Sequence, residues 1–118
     1  LAPLDAVTIV LFYHDTVWLG ANREAMNAAV FNALKPGGVF LIVDHSARSG
    51  DGTDVASTFH RIEEDVVKRE VQAAGFVLDA EADFLRNGND TRDWNDSPRA
   101  AGDRRGTSDR FVLRFRKP

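Results

Sequence analysis

The sequence predicts an α/β fold in which a parallel strand–helix–strand unit is followed by a second helix and an antiparallel pair of strands. Three observations predict it. Two apolar runs, Ala6 to Phe12 and Val39 to Val43, flank one stretch of helical period. A second helical stretch, Glu63 to Ala74, follows a loop rich in Gly, Ser and Asp. The last two apolar segments alternate with polar residues and have no helix between them.

Ala6 to Phe12 is apolar and β-branched almost throughout, the pattern of a strand buried on both faces. Polarity returns at Tyr13-His14-Asp15. Asn22 suits a helix N-cap, with Glu24 in the first turn where the helix dipole favours an acid. The helix places Met26, Ala29, Val30, Ala33 and Leu34 on one stripe. Lys35-Pro36-Gly37-Gly38 ends it, since proline cannot continue the hydrogen-bond ladder and glycine permits the turn. Val39 to Val43 is the second buried strand, ending at Asp44-His45. Two such strands joined by a helix make a parallel βαβ unit with a right-handed crossover.

Beyond the Ser46 to Thr58 loop, the second helix turns Val66, Val67, Val71 and Ala74 inward and stops at Gly75. From Phe76 to Phe84 apolar and acidic residues alternate, which describes an edge strand or one with a wet face. Arg86 to Ser108 is long, polar and aperiodic, and such loops inside compact domains are functional or disordered. Arg110 to Arg116 is the last strand, with Phe111, Leu113 and Phe115 facing the core.

Composition sets bounds. At 118 residues, 43% hydrophobic and 28% charged, the chain is one soluble globular domain at most. A net charge of −3 gives no basis for binding nucleic acid, because the late arginines are interspersed with acids. The absence of cysteine excludes disulfides, thiol chemistry and Cys-ligated zinc. No apolar run approaches the roughly 20 residues that span a bilayer, and none reads as a signal peptide. The sequence begins at Leu1 and its single methionine, Met26, falls inside a predicted helix, so a trimmed or truncated chain is expected.

Leu34-Lys35-Pro36-Gly37-Gly38 leading into Val39-Phe40-Leu41-Ile42-Val43-Asp44, and Ala73-Ala74-Gly75-Phe76 leading into the next strand, carry a resemblance. With this strand order, the chain resembles the carboxyl-terminal half of the class I S-adenosylmethionine-dependent methyltransferases, a Rossmann-like sheet. It is similar more narrowly to a group of predicted bacterial methyltransferases of unassigned substrate. The residues that carry this are Tyr13-His14-Asp15, Asp44-His45-Ser46-Ala47, His60-Arg61-Ile62 and Gly106-Thr107-Ser108-Asp109-Arg110-Phe111, the last departing from the family's pattern. The resemblance implies S-adenosylmethionine as cofactor, a small-molecule acceptor and a cytoplasmic setting. Yet the family holds its cofactor on a first strand, a G-x-G-x-G turn and an acid after the second strand. No such turn precedes Ala6, and Gly50-Asp51-Gly52 does not open a helix in the required way. One partial domain, residues 1–118, is therefore expected, inactive alone because its cofactor-binding half is absent.

In open α/β sheets the ligand sits outside the carboxyl ends of the strands. Tyr13-His14-Asp15 and Asp44-His45 both stand at such ends. Methyl transfer often needs a base, and histidine oriented by a carboxylate serves near neutral pH. The candidates are His14 or His45 as base, with Asp15 and Asp44 orienting it or holding substrate. Tyr13 is expected to line the pocket toward the cofactor. Asp44 also has a plain structural role open to it, bonding loop amides. His60 and Arg61 are candidates for substrate binding, with Arg61 suited either to clamping an anion or to bonding loop carbonyls.

A metal-dependent hydrolase would gather His14, Asp15, Asp44, His45 and His60. That reading stands as a third alternative, weakened because adjacent His-Asp pairs point opposite ways on an extended chain and no H-E-x-x-H or H-x-H spacing occurs; tight zinc or manganese binding lost on His14→Ala and His45→Ala would promote it. Trp18 suits a lid over the helix start, and Trp94 a cover on a pocket. A further alternative is a self-contained α/β binding module, homodimeric through the strand from Ala6 to Phe12, whose apolar edge must be covered.

Overall fold

The computed structural model describes residues 3–118; Leu1 lies outside them. The chain runs β1 (Leu4–Val10), α1 (Asp15–Trp18), α2 (Arg23–Ala33), β2 (Leu34–His45), α3 (Glu64–Ala73), β3 (Val77–Ala82), α4 (Pro98–Ala101) and β4 (Arg110–Arg116), with a 3-10 turn at Gly102–Arg104. One sheet holds the strands in the order β1-β2-β4-β3. β1 and β2 are parallel, while β4 is antiparallel to both β2 and β3. The parallel unit and the closing antiparallel pair are thus as expected. β3 and β1 are the edges.

Side-chain alternation builds the core. Val7, Phe40 and Phe115 stand side by side across β1, β2 and β4, and Ile9, Ile42 and Leu113 form the next row. These rows share one cluster with Val66, Val67 and Val71 of α3 and with Met26, Val30 and Phe31 of α2, so both helices cover the same face. The opposite face keeps Ala6, Thr8, Val10 and Arg114 exposed and Val39 and Leu41 half-buried. β1 therefore departs from the expectation of burial on both faces: among the described residues it pairs with β2 alone, and Val10 is 56% exposed.

The α2 stripe also shifts. Ala29 is exposed, whereas Asn27 is fully buried and donates through Nδ2 to the Tyr13 hydroxyl at 3.0 Å. A polar residue enters the core here because it finds a partner there. Asn22 does cap α2, accepting from the Ala25 amide at 3.0 Å.

Lys35 and Pro36 do not form a separate turn, because β2 already begins at Leu34. A Cβ on Gly38 would lie 2.9 Å from the Lys35 carbonyl oxygen and 3.2 Å from that of Asp5. Both obstacles are backbone, so Gly38→Ala should force β2 away from β1. We expect a loss of about 1–3 kcal/mol, the usual range for overpacking, read by urea denaturation. An unchanged midpoint would show that the β1–β2 junction yields freely.

The Arg86 to Ser108 stretch is tied down by ion pairs. Arg86 and Arg92 both donate to Asp109, and the Asn87 amide group reaches the Thr107 carbonyl. No helix among the described residues is long and apolar enough to cross a membrane.

Candidate functional site

Parallel pairing of β1 and β2 brings their carboxyl ends together. Val10 stands opposite Val43, and the Leu11 amide donates to the Val43 carbonyl at 2.7 Å. Leu11 then takes a left-handed conformation (φ 56°), rare for a non-glycine residue, which turns the chain out of the sheet. His14 follows in helical conformation as the N-cap of α1. Tyr13-His14-Asp15 is thus a tight turn rather than an extended segment. That removes the geometric objection that kept His14 and Asp15 apart.

Asp44 is fully buried at the end of β2 and accepts three hydrogen bonds. The His14 amide reaches Oδ2 at 2.7 Å, the His45 amide reaches Oδ1 at 2.8 Å, and the His14 ring nitrogen Nδ1 lies 2.7 Å from Oδ1. An ionised carboxylate can only accept, so His14 Nδ1 carries the proton and Nε2 presents the reactive electron pair when the ring is neutral. Nε2 lies 3.2 Å from Asp15 Oδ1. Burial presses the His14 pKa down, but the hydrogen bond and charge of Asp44, aided by Asp15 and Asp96, outweigh it and raise the value.

His60 completes this edge. Its backbone is left-handed (φ 54°), and its Nδ1 lies 3.5 Å from Asp15 Oδ1. The His14 and His60 ring centroids are 5.4 Å apart. Trp18 donates from Nε1 to Asp15 Oδ1 at 2.8 Å and meets the His60 ring edge-on. It fixes the carboxylate from the last residue of α1.

His45 differs in kind. Its Nδ1 is 2.6 Å from Ser108 Oγ and 3.3 Å from Asp96 Oδ2. Burial, then the nearby charges of Arg110, His14 and Arg61, push its pKa down to about 3, so it is neutral near pH 7. Asp96 moves the other way. Burial is the main cause, and its pKa rises to about 7. Neither of its carboxylate oxygens has a hydrogen-bond partner among the described residues. His14, Asp15, His45, His60, Asp96 and Arg110 share a cavity of about 450 Å³.

Two expected site residues stand elsewhere. Tyr13 is fully buried; its hydroxyl donates to Glu70 Oε1 at 3.0 Å and accepts from Asn27, between α2 and α3. Glu70 is in turn held by Arg23 through two bonds of 2.8 and 2.9 Å. Burial raises the Tyr13 pKa, so the phenol is a neutral structural donor rather than part of the cavity wall. Arg61 is also fully buried. It bonds Asp90 at 2.7 and 3.2 Å, the Ser46 carbonyl at 3.0 Å and the Trp94 carbonyl at 3.1 Å, beneath the Trp94 ring. All four of these hydrogen bonds go to loop residues, which corrects the substrate-clamp reading in favour of the carbonyl-bonding one. Sequence reasoning missed Asp96 and Ser108. Asp96 lies two residues from Trp94 in a stretch with no period to mark it, and Ser108 stands inside the Gly106 to Phe111 motif.

No protein-family model matches the chain, and no curated protein matches it in sequence. Solved structures do. One is a chain of the complex between the Haloferax volcanii Trm112 methyltransferase activator and a proposed methyltransferase, with a TM-score of 0.59 at 17% identity over 98% of this chain and 54% of that one. Another is the [4+2]-cyclase SpnF, with a TM-score of 0.63 at 16% identity over 98% of this chain and 50% of that one. Two different names on one fold show that fold alone does not decide the reaction. The chain spans about half the length of each of these two structures, and what it shares with both is the α/β architecture of a partial Rossmann-like sheet.

Proposed function

We infer that this chain forms the acceptor-binding half of an S-adenosylmethionine-dependent methyltransferase, with His14 as general base for a small-molecule acceptor. The observation that carries the reading is the His14–Asp44 pair. It stands at the carboxyl ends of two adjacent parallel strands, where such sheets bind ligands, and His14 lines the cavity there. Asp44 fixes the tautomer and Nε2 takes the acceptor's proton; S-adenosylmethionine, when bound, would supply the methyl group and leave as S-adenosylhomocysteine. Asp15 and His60 hold the acceptor. His45, neutral and bonded to Ser108, shapes the floor and is the weaker base of the two histidines.

The cofactor fits this chain only in part. The described residues contain no glycine-rich turn between a strand and a helix, so the cofactor's main hold belongs to a part of the fold outside them. The test uses the longest in-frame gene product and follows S-adenosylhomocysteine release with a panel of small phenols, amines and carboxylates. His14→Ala should lower kcat by about 10²–10⁴, the worth of a positioned base, with S-adenosylmethionine affinity unchanged. Wild-type turnover in that variant would sink the assignment.

The exposed edge of β1 favours a second reading, in which this half-fold stands alone as a dimer. Leu4, Val10 and Phe12 are all at least 36% exposed. An apolar edge strand of this kind invites pairing. Under the dimer reading, sedimentation equilibrium of the 118-residue chain gives twice the monomer mass, and Val10→Lys restores the monomer.

A further inference from the structure

We propose that His14 Nε2, Asp15 and His60 Nδ1 form a binding site for one divalent transition-metal ion of the zinc class. His14, Asp15 and His60 each offer one ligand atom, and the three atoms lie within 4.8 Å of one another. Two of the separations, 3.2 Å from Asp15 Oδ1 to His14 Nε2 and 3.5 Å to His60 Nδ1, are informative. Ligands about 2.0–2.1 Å from one zinc ion in tetrahedral array lie about 3.4 Å apart. Both separations from Asp15 match the spacing of ligands around one such ion.

Independent features point to a cation. First, Asp44 holds His14 Nδ1, the carboxylate–histidine arrangement that supports metal ligands from behind. It leaves Nε2 on the side of Asp15, 3.2 Å from Oδ1. Second, Trp18 pins the Asp15 carboxylate, and the left-handed backbone at His60 swings its ring toward it. Two imidazoles with one carboxylate suit zinc, cobalt or iron(II), and leave coordination positions open to the cavity.

Metal and base action exclude each other, since both use one electron pair on His14. An ion bound here would inhibit a methyl transfer that depends on that base. Binding itself does not rest on the methyltransferase reading.

The experiment is calorimetric titration of the untagged chain with Zn²⁺ alone, repeated with His60→Ala, Asp15→Ala and Asp44→Asn. One ion per chain is expected. His60→Ala and Asp15→Ala, both at partly exposed positions, should lose saturable binding while the circular dichroism spectrum stays that of the wild type. Asp44→Asn should weaken it by about 10- to 100-fold, as loss of an outer partner does. Absence of saturable binding by the wild-type chain overturns the proposal, as does equal affinity in His60→Ala. If Zn²⁺ binds as expected but His14→Ala leaves methyl transfer intact in the longer product, the metal site stands and the base assignment falls.

Discussion

Arg61→Ala is expected to cost about 3–5 kcal/mol, the measured range when one partner of a buried ion pair is removed. The side chain is wholly inaccessible and pairs with Asp90, which is equally buried. Removing it takes the guanidinium from the Asp90 carboxylate, which keeps the Arg92 and Asp109 amides as donors, and leaves the Ser46 and Trp94 carbonyls without their Arg61 donor. It also empties the space beneath the Trp94 ring. Domains of this size have only about 5–15 kcal/mol in total, so the variant should lose a large share of its stability. Urea denaturation followed by circular dichroism reads the effect. Arg61→Lys should recover little of it, because an ammonium cannot reproduce the planar fork. A shift under 1 kcal/mol for Arg61→Ala would mean that the loop does not depend on this anchor.

Asp96→Asn is expected to stabilise the chain, and only at higher pH. Asp96 has an ordinary pKa of 3.8 and a folded value of about 7, raised chiefly by burial. A group with a raised folded pKa contributes its stability below the unfolded value and loses it as pH climbs through the folded one. Below about pH 4 both variants therefore present a neutral side chain, and their stabilities should be close. Between pH 4 and pH 7 the wild type falls progressively behind. At pH 8 the asparagine variant should lead by roughly 2–4 kcal/mol, given about 1.4 kcal/mol per pKa unit. Urea midpoints of the two proteins across pH 4 to 8 give the comparison. A difference that stays constant with pH would show that Asp96 is ionised in the fold throughout.

Much of the fold was legible because local patterns and tertiary packing agree. Asn22 caps α2, Val66, Val67 and Val71 face inward, and Phe111, Leu113 and Phe115 line the core as their spacing requires. β1 was misjudged for a physical reason. An apolar, β-branched run reports what a strand can bury, not which neighbours are present to bury it. Asn27 and Tyr13 escaped detection as a buried polar pair because residues 14 apart meet only through the fold. Arg61 had two roles compatible with its chemistry, and Asp90, 29 residues away, decided between them.

The site was legible in its components and not in its shape. His14, Asp44 and His45 were placed together by the rule that ligands gather at strand ends. What the sequence could not show was the left-handed turn at Leu11, which converts Tyr13-His14-Asp15 from an extended segment into a corner. That corner sends Tyr13 into the core and brings His14 Nε2 to Asp15.

Under the proposed function this half-sheet supplies one side of a methyl-transfer site, and the cofactor side lies elsewhere in the same fold. The most direct measurement is the nucleotide sequence of the source gene immediately upstream of the Leu1 codon, read in frame. A strand, a G-x-G-x-G turn, a helix and an acid about 20 residues further on are expected there, as dinucleotide-type sites require. An in-frame stop, or a start codon directly before Leu1, would contradict the proposed function and leave the β1 dimer as the reading to pursue.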